Sequence, residues 1–488
     1  MSITKIRLKK FISKEKEILI KLPLLNELIK YHEEDNLILS MPGNKSGIGF
    51  LRDEVGQNFI NKLGYLDITE VDPLDNLHCP EGIIKEAQNF LRDLYGAKKA
   101  FFMVNGSSGG NLASIFSAFK EGDEVLVERN CHKSIYNGLI LRKLKVVYID
   151  SVIDEKNNIS LPPDKKNIYE ALNKAKKPKG IILTYPNYFG ISYDLEEIIM
   201  DLKSKGLKVI IDGAHGAHFG FNDKLPKSLA GLGDYVVLSA HKTLPALTQG
   251  GFLLVNNDED NIEFYIRSFM TTSPSYLIMA SLDYSRYYLE KYGKDDYESL
   301  IAIATKYRNK INKLGKVYIL GKEDMMDGYD IDITRYVMVL PKKYSGHKLL
   351  KYLRASRIQG EMSTSNTVVL ILSPFHGESE FSKLCSVLDN LNFDDIISDE
   401  KYITYKYNIP IKKLEPYQVF DKKIKIVELD DAIDKIAGDA IIPYPPGIPL
   451  VVGGEVITKE CIDIVKNYLK GNKQVIGVSN NKISIVEE

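Results

Sequence analysis

Between residues 80 and 255 the chain alternates between short runs that are apolar throughout and longer segments whose apolar residues recur every three or four positions. The runs at 100–104, 124–127, 146–149, 180–183, 207–211, 235–238 and 252–255 are too short for helices and too uniformly apolar for half-exposed strands. They predict buried strands. Between several of them the spacing is helical. Ile83, Ile84, Ala87, Phe90, Leu91 and Leu94 form one apolar stripe stopped by Gly96, and Asp194-Leu-Glu-Glu197 reads as a capping box for a helix that Gly206 ends. Strands apolar on both faces that alternate with helices imply an α/β fold with a parallel or mixed sheet covered on both sides.

After residue 257 the pattern changes. Residues 276–292 predict a long helix ended by Gly293. Residues 300–392 read as helix, strands near 336–340 and 368–372, and helix again, which suits a small α/β domain. Residues 393–420 are charged and Tyr-rich without periodicity and read as a linker to a last unit. The expected division is an arm at 1–30, a large domain at 31–295, a small domain at 296–392 and a C-terminal domain at 393–488.

Composition narrows the function. The 65 basic and 65 acidic residues cancel, so no charged surface for nucleic acid is indicated. The four cysteines are far apart, which argues against a disulfide framework and structural zinc and suits a reducing compartment. No stretch approaches a membrane-spanning length, and the basic N-terminus makes a poor signal peptide. A cytoplasmic enzyme of small molecules is expected.

The chemistry is expected at the carboxyl ends of the strands, where ligands bind in such sheets. Asp212 closes one apolar run and Lys242 follows another, thirty residues later. A lysine there suits a Schiff base with pyridoxal 5′-phosphate, and the aspartate suits the pyridinium nitrogen of the same ring. Asn105-Gly-Ser-Ser-Gly-Gly-Asn111 joins a strand to a helix; its small residues, its hydroxyls and the helix N-terminus suit a phosphate. Ser239 and His241 could add donors to that phosphate. His132, just past a strand, could stack on a planar ring. His215 and His218 have H-x-x-H spacing but no glutamate between them, so a metal site is not expected.

Together these segments resemble the ornithine/lysine/arginine decarboxylase family. The resemblance is carried by Asn105-Gly-Ser-Ser, Asn130-Cys-His-Lys-Ser134, Tyr185-Pro-Asn-Tyr-Phe-Gly190, Asp212-Gly-Ala-His-Gly-Ala-His218, Ser239-Ala-His-Lys242, Thr271-Thr-Ser-Pro-Ser275 and Tyr444-Pro-Pro-Gly-Ile-Pro449, and runs from about residue 25 onward. It implies an aspartate-aminotransferase-like (fold type I) large domain with a mostly parallel seven-stranded sheet, plus smaller α/β C-terminal domains, in the short form found in Gram-positive bacteria. It implies Lys242 as the cofactor lysine, Asp212 at the ring nitrogen, His132 stacked on the ring and His215 near its phenolic side. Ser107, Ser108, Gly109, Ser239 and His241 would surround the phosphate. Thr272 and Ser273 would reach the partner subunit's site in a homodimer. Catalysis would rest on Lys242, Asp212, His132 and His241. The implied reaction is decarboxylation of a basic amino acid, arginine before lysine or ornithine, giving a polyamine precursor. The substrate's distal cation needs a carboxylate, for which Glu455 and Asp75 are candidates.

Three positions depart from the family pattern. Asn44 stands where histidine is usual, Asn187 where threonine is, and Gly453 where proline is. The first two are expected on the substrate side. Two other readings of the site are an aminotransferase, which needs an arginine for the α-carboxylate (Arg335 and Arg354 lie outside any aminotransferase-like motif), and a non-catalytic cofactor-binding protein.

Overall fold

All seven apolar runs enter one sheet in a computed structural model that describes residues 22–258, 261–398, 408–444, 449–470 and 474–487. The strands are β1 (Lys99–Met103), β2 (Glu124–Glu128), β3 (Lys145–Ile149), β4 (Pro178–Thr184), β5 (Lys208–Asp212), β6 (Tyr235–Leu238) and β7 (Gly251–Val255). Their spatial order is β1-β7-β6-β5-β4-β2-β3. Strand β7 runs antiparallel to β6 and β1, and the remaining neighbours are parallel. Every residue of β6 and β7 is buried, as strands covered on both faces require.

Helices α1 (Ile83–Tyr95), α2 (Gly106–Ala118), α3 (Lys133–Leu141) and α4 (Glu196–Ser204) supply cover and crossovers. Gly96 ends α1 in the left-handed region (φ 64°). The expected capping box at 194–197 does not form. Helix α4 starts two residues later than Asp194, whose side chain accepts only the Glu196 N–H.

Gly293 does not end the long helix. Helix α5 (Tyr276–Tyr288) passes through a π-helical turn, Leu289–Gly293, directly into α6 (Lys294–Lys313), and Gly293 itself is right-handed (φ −52°). A Cβ there would sit 3.4 Å from Leu289 Cδ2, an ordinary contact, so neither a C-cap nor close packing demands the glycine. The expected domain boundary at 295/296 thus falls within a continuous run of helix.

The next unit is a four-stranded antiparallel sheet ordered β8 (Tyr318–Ile319), β9 (Arg335–Val339), β11 (Thr367–Ile371), β10 (Met362–Ser363), packed with the helix Gly346–Ala355. The early strand Leu37–Leu39 pairs in parallel with Ile358–Gly360, which stitches the front of the chain to this unit. The last unit has its own core around Leu429, Val451, Ile462 and Val465, under the antiparallel strands Ile424–Glu428 and Lys482–Val486.

The described part of the expected linker is docked on the large sheet, where Glu415 Oε2 accepts the Val146 N–H at 3.1 Å. The arm's residues 1–21, and 445–448 of the Pro-rich motif, lie outside the described residues. Among the described residues no helix is long and apolar enough to cross a membrane, and the four cysteines are free.

Candidate active site

Strands β2, β4, β5 and β6 are parallel, so their carboxyl ends open on one edge, and the loops leaving them carry His132, Asp212 and Lys242 to that edge. At one end of it stands the N-terminus of α2. A Cβ on Gly251 would lie 2.8 Å from the Leu238 carbonyl and 3.3 Å from the Ser107 N–H; one on Gly110 would lie 2.8 Å from Val237 Cγ1. Glycine at both places lets β7 and α2 close on β6, so that the buried Ser239 hydroxyl reaches Ser107 Oγ at 2.6 Å. The first turn of a 13-residue helix, two hydroxyls and the Gly109 backbone together suit an anion by helix-terminus physics. Ser108 is exposed at its rim. His241 Nδ1 lies 3.0 Å from the Gly250 carbonyl, which ties Lys242's helical turn to the start of β7.

Asp212, 2% exposed, ends β5. Its Oδ2 accepts from Asn111 Nδ2 at 3.0 Å and its Oδ1 from the Ala214 N–H at 3.2 Å. Asn111 also donates to Ser134 Oγ at 2.9 Å, and that hydroxyl lies 2.8 Å from His132 Nδ1. The Ser134 N–H donates to the same Nδ1 at 3.2 Å, so His132 caps α3 through this nitrogen. A buried chain of hydrogen bonds thus couples the aspartate to the exposed histidine ring. Sequence reasoning did not single out Asn111 and Ser134, although an amide inside the apolar helix α2 is a signal in itself. Beside Asp212, burial pushes Glu128 up to about 7.

Lys242 Nζ lies 3.1 Å from His215 Nε2, and Arg335 Nη1 lies 3.2 Å from His215 Nδ1. Withdrawal from solvent and the Arg335 charge outweigh the attraction of Asp212 and Glu361 and lower Lys242 to about 8. Burial, with Lys242 and Arg335 on either side, holds His215 well below the usual histidine range. Arg335 also donates to the Tyr188 carbonyl at 2.8 Å, and its Nε and Nη2 have no acceptor among the described residues. Tyr188 meets His215 edge-on with ring centroids 5.0 Å apart and donates its hydroxyl to Glu361, which also accepts the Met41 N–H at 2.9 Å. Sequence position alone set Arg335 aside. It begins a strand of the second unit, and only the fold carries it to this edge.

Neither carboxylate suggested for a distal cation is available to one in this chain. Asp75 accepts from the N–H groups of Asn76, Glu81, Gly82, Ile84 and Lys85 and caps the start of α1. Burial pushes its carboxyl up, but those donors outweigh burial and hold it below the usual range. Glu455 is fully buried and grips Arg129 in a two-pronged ion pair, both distances 2.7 Å, while accepting the Val452 N–H. This pair fastens the last unit to the loop that carries His132. Glu455→Ala strands the Arg129 charge in the interior and is expected to cost about 3–5 kcal/mol of stability, read as a lower urea midpoint. An unchanged midpoint means the pair does not hold the units together.

The two substitutions expected on the substrate side turn out to be backbone pins. Asn44 donates to the Ala246 carbonyl at 2.8 Å and accepts the Gly47 N–H at 3.0 Å. Asn187 donates to the Ser160 carbonyl at 2.8 Å and accepts from Phe189 and Ile191. Nothing in the structure demands glycine rather than proline at Gly453. His218 is 3.0 Å from Asp332, inside the wall between the two units. No group of three or more His, Cys, Asp or Glu side chains among the described residues could hold a metal ion. Arg354 pairs with Glu34. Thr272 and Ser273 are exposed, and Thr271 lies against the rim of the anion site in its own chain, its N–H 3.4 Å from Asn105 Oδ1.

The edge therefore presents a lysine with a lowered pKa, a buried carboxylate fixed by two donors and an anion site. These are the groups that pyridoxal 5′-phosphate needs for its aldehyde, ring nitrogen and phosphate, and the residues fit it. Two family models match the sequence: the major domain of Orn/Lys/Arg decarboxylases over residues 22–331 and their C-terminal domain over 407–479. An uncharacterized protein of Bacillus subtilis, YaaO, is 33% identical over 93% of this chain and 96% of its own length. The arginine decarboxylase of Bacillus anthracis is 31% identical over 93% of this chain and 94% of its own. Among solved structures, the Francisella novicida lysine decarboxylase LdcF superposes with a TM-score of 0.75 at 20% identity, over 95% of this chain and 81% of that one. The chain belongs to the Orn/Lys/Arg decarboxylase family.

Proposed function

We propose that this enzyme removes the α-carboxylate of L-arginine as CO₂ to give agmatine, using pyridoxal 5′-phosphate held by Lys242. The observation that carries the choice of arginine is the set of Bacillus arginine decarboxylases at 29–31% identity along more than nine-tenths of the chain, against 22–23% for Escherichia coli lysine decarboxylases. When bound, the cofactor supplies an electron sink for the pair left behind as CO₂ departs.

The chain's own residues do the rest. Asp212, oriented by Asn111 and Ala214, would hold a proton at the ring nitrogen. His132, its orientation set by Ser134, would lie against the ring. Ser107, Ser239 and the α2 N-terminus would hold the phosphate, and Lys242 would move a proton at Cα. Side-by-side assays with arginine, lysine and ornithine should give agmatine with the highest kcat/KM. Cadaverine or putrescine as the preferred product overturns the assignment.

A homodimer with composite sites is part of the same reading. The helix Pro23–Glu33 buries none of its residues in its own chain, and Leu24 (75% exposed), Leu25 and Leu28 face outward, as an interface between copies would require. Mixing Lys242→Ala with a chain disrupted at 271–275, after dissociation and reassociation, leaves one intact site in each mixed dimer if the segment serves the partner. Activity should return to about a quarter of wild type. No recovery, with mixed dimers shown to form, assigns the segment to its own site.

A further inference from the structure

His215 has two ring nitrogens and a basic neighbour at each, Arg335 Nη1 at Nδ1 and Lys242 Nζ at Nε2. A guanidinium has donors only. Nδ1 must therefore accept, and the single proton of the neutral ring sits on Nε2. At 3.1 Å that N–H faces Lys242 Nζ, which can receive it only through a lone pair, and an ammonium has none. We propose that Arg335 is a positioning residue: by fixing His215 as the Nε2–H tautomer it keeps Lys242 a neutral, nucleophilic amine.

The geometry leaves Arg335 little choice. It is 1% exposed, its Nη1 is also held by the Tyr188 carbonyl, and its backbone N–H donates to the Asp332 carbonyl at 2.9 Å. Protonating His215 would set a second cation directly against Arg335, and burial already disfavours its charged form. The charged groups facing Lys242 are Asp212 and Glu361, which favour the ammonium, and Arg335, which opposes it; the rings of His132, His215 and His241 also face Lys242, and those of His132 and His241 face His215. Arg335 opens β9 in the second unit while Lys242 follows β6 in the first. The lysine's reactivity therefore depends on how those two units are docked.

The test rests on Lys242 as the cofactor lysine for only one of its two readouts. Nitrogen-15 spectra of the full-length cofactor-free protein, with the His215 signal assigned through His215→Gln, should show the Nε2–H tautomer near pH 9, above the value of about 8 at which Lys242 gives up its proton. The Nδ1–H tautomer overturns the proposal. The second readout is the rate at which the protein captures pyridoxal phosphate, trapped by borohydride and mapped, as a function of pH. In Arg335→Met the midpoint should rise by about one pH unit, since a lost neighbouring cation makes the ammonium easier to keep. Arg335→Lys, which retains a charge and a donor, should restore most of the shift. An unmoved midpoint in folded Arg335→Met also overturns the proposal. If that variant does not fold, the wild-type tautomer decides. Label on a different lysine instead refutes the assignment of Lys242.

Discussion

Lys242→Ala is expected to reduce decarboxylation by at least about 10⁴-fold while leaving the fold intact. The amine that would carry the cofactor is gone, and among the described residues the lysine that faces His215 is Lys242. Lys242 is half-buried in a four-residue helical turn, so truncation removes a reactive group and little core volume. Wild-type protein should be yellow and lose its visible band on borohydride treatment, with the reduced cofactor recovered on the Lys242 peptide. The variant should show neither the band nor the labelled peptide, at an unchanged melting temperature. Substantial product from Lys242→Ala, or label on another lysine, removes the basis of the proposed function.

Asp212→Asn is expected to lower turnover on the order of 10³-fold, with a much smaller effect on stability. A fixed, buried carboxylate would stabilise the ring-nitrogen proton by several kcal/mol, and the amide cannot replace that charge. An asparagine oxygen can still accept from Asn111 or from the Ala214 N–H, so about one hydrogen bond is at stake in the fold. The comparison is kcat against the urea midpoint of the same preparation. Near-normal kcat would mean that Asp212 serves the sheet and not the reaction.

The apolar runs announced the large sheet because a strand buried on both faces has no polar positions to confuse its pattern. Strand ends could be read to within a residue or two for the same reason. Helix limits were harder. Gly293 looks like a stop in one dimension, yet it lies right-handed inside a continuing helix, since a glycine ends a helix only where the chain turns left-handed. Asp194 had the right spacing for a cap, but α4 begins one residue too late to use it.

At the site, the groups on loops leaving consecutive parallel strands were legible, because the topology of such a sheet delivers strand ends to one edge. Lys242, Asp212, His132 and Ser107 follow from that rule. Asp75 and Glu455 could not be judged from the sequence. Whether a carboxylate is free or already spoken for depends on backbone N–H groups and on an arginine 326 positions away.

The sequence by itself determined the fold class, the small-residue loop that opens α2 and the delivery of Asp212 and Lys242 to one edge of the sheet, since these depend on local pattern and on the fixed geometry of a parallel sheet. Only the tertiary structure decided that Arg335 stands behind His215, that Glu455 clamps Arg129, and that Asn44 and Asn187 serve the backbone. Those outcomes depend on where a second unit docks, and side-chain contacts across such an interface follow from packing in three dimensions, which no periodicity along one chain encodes.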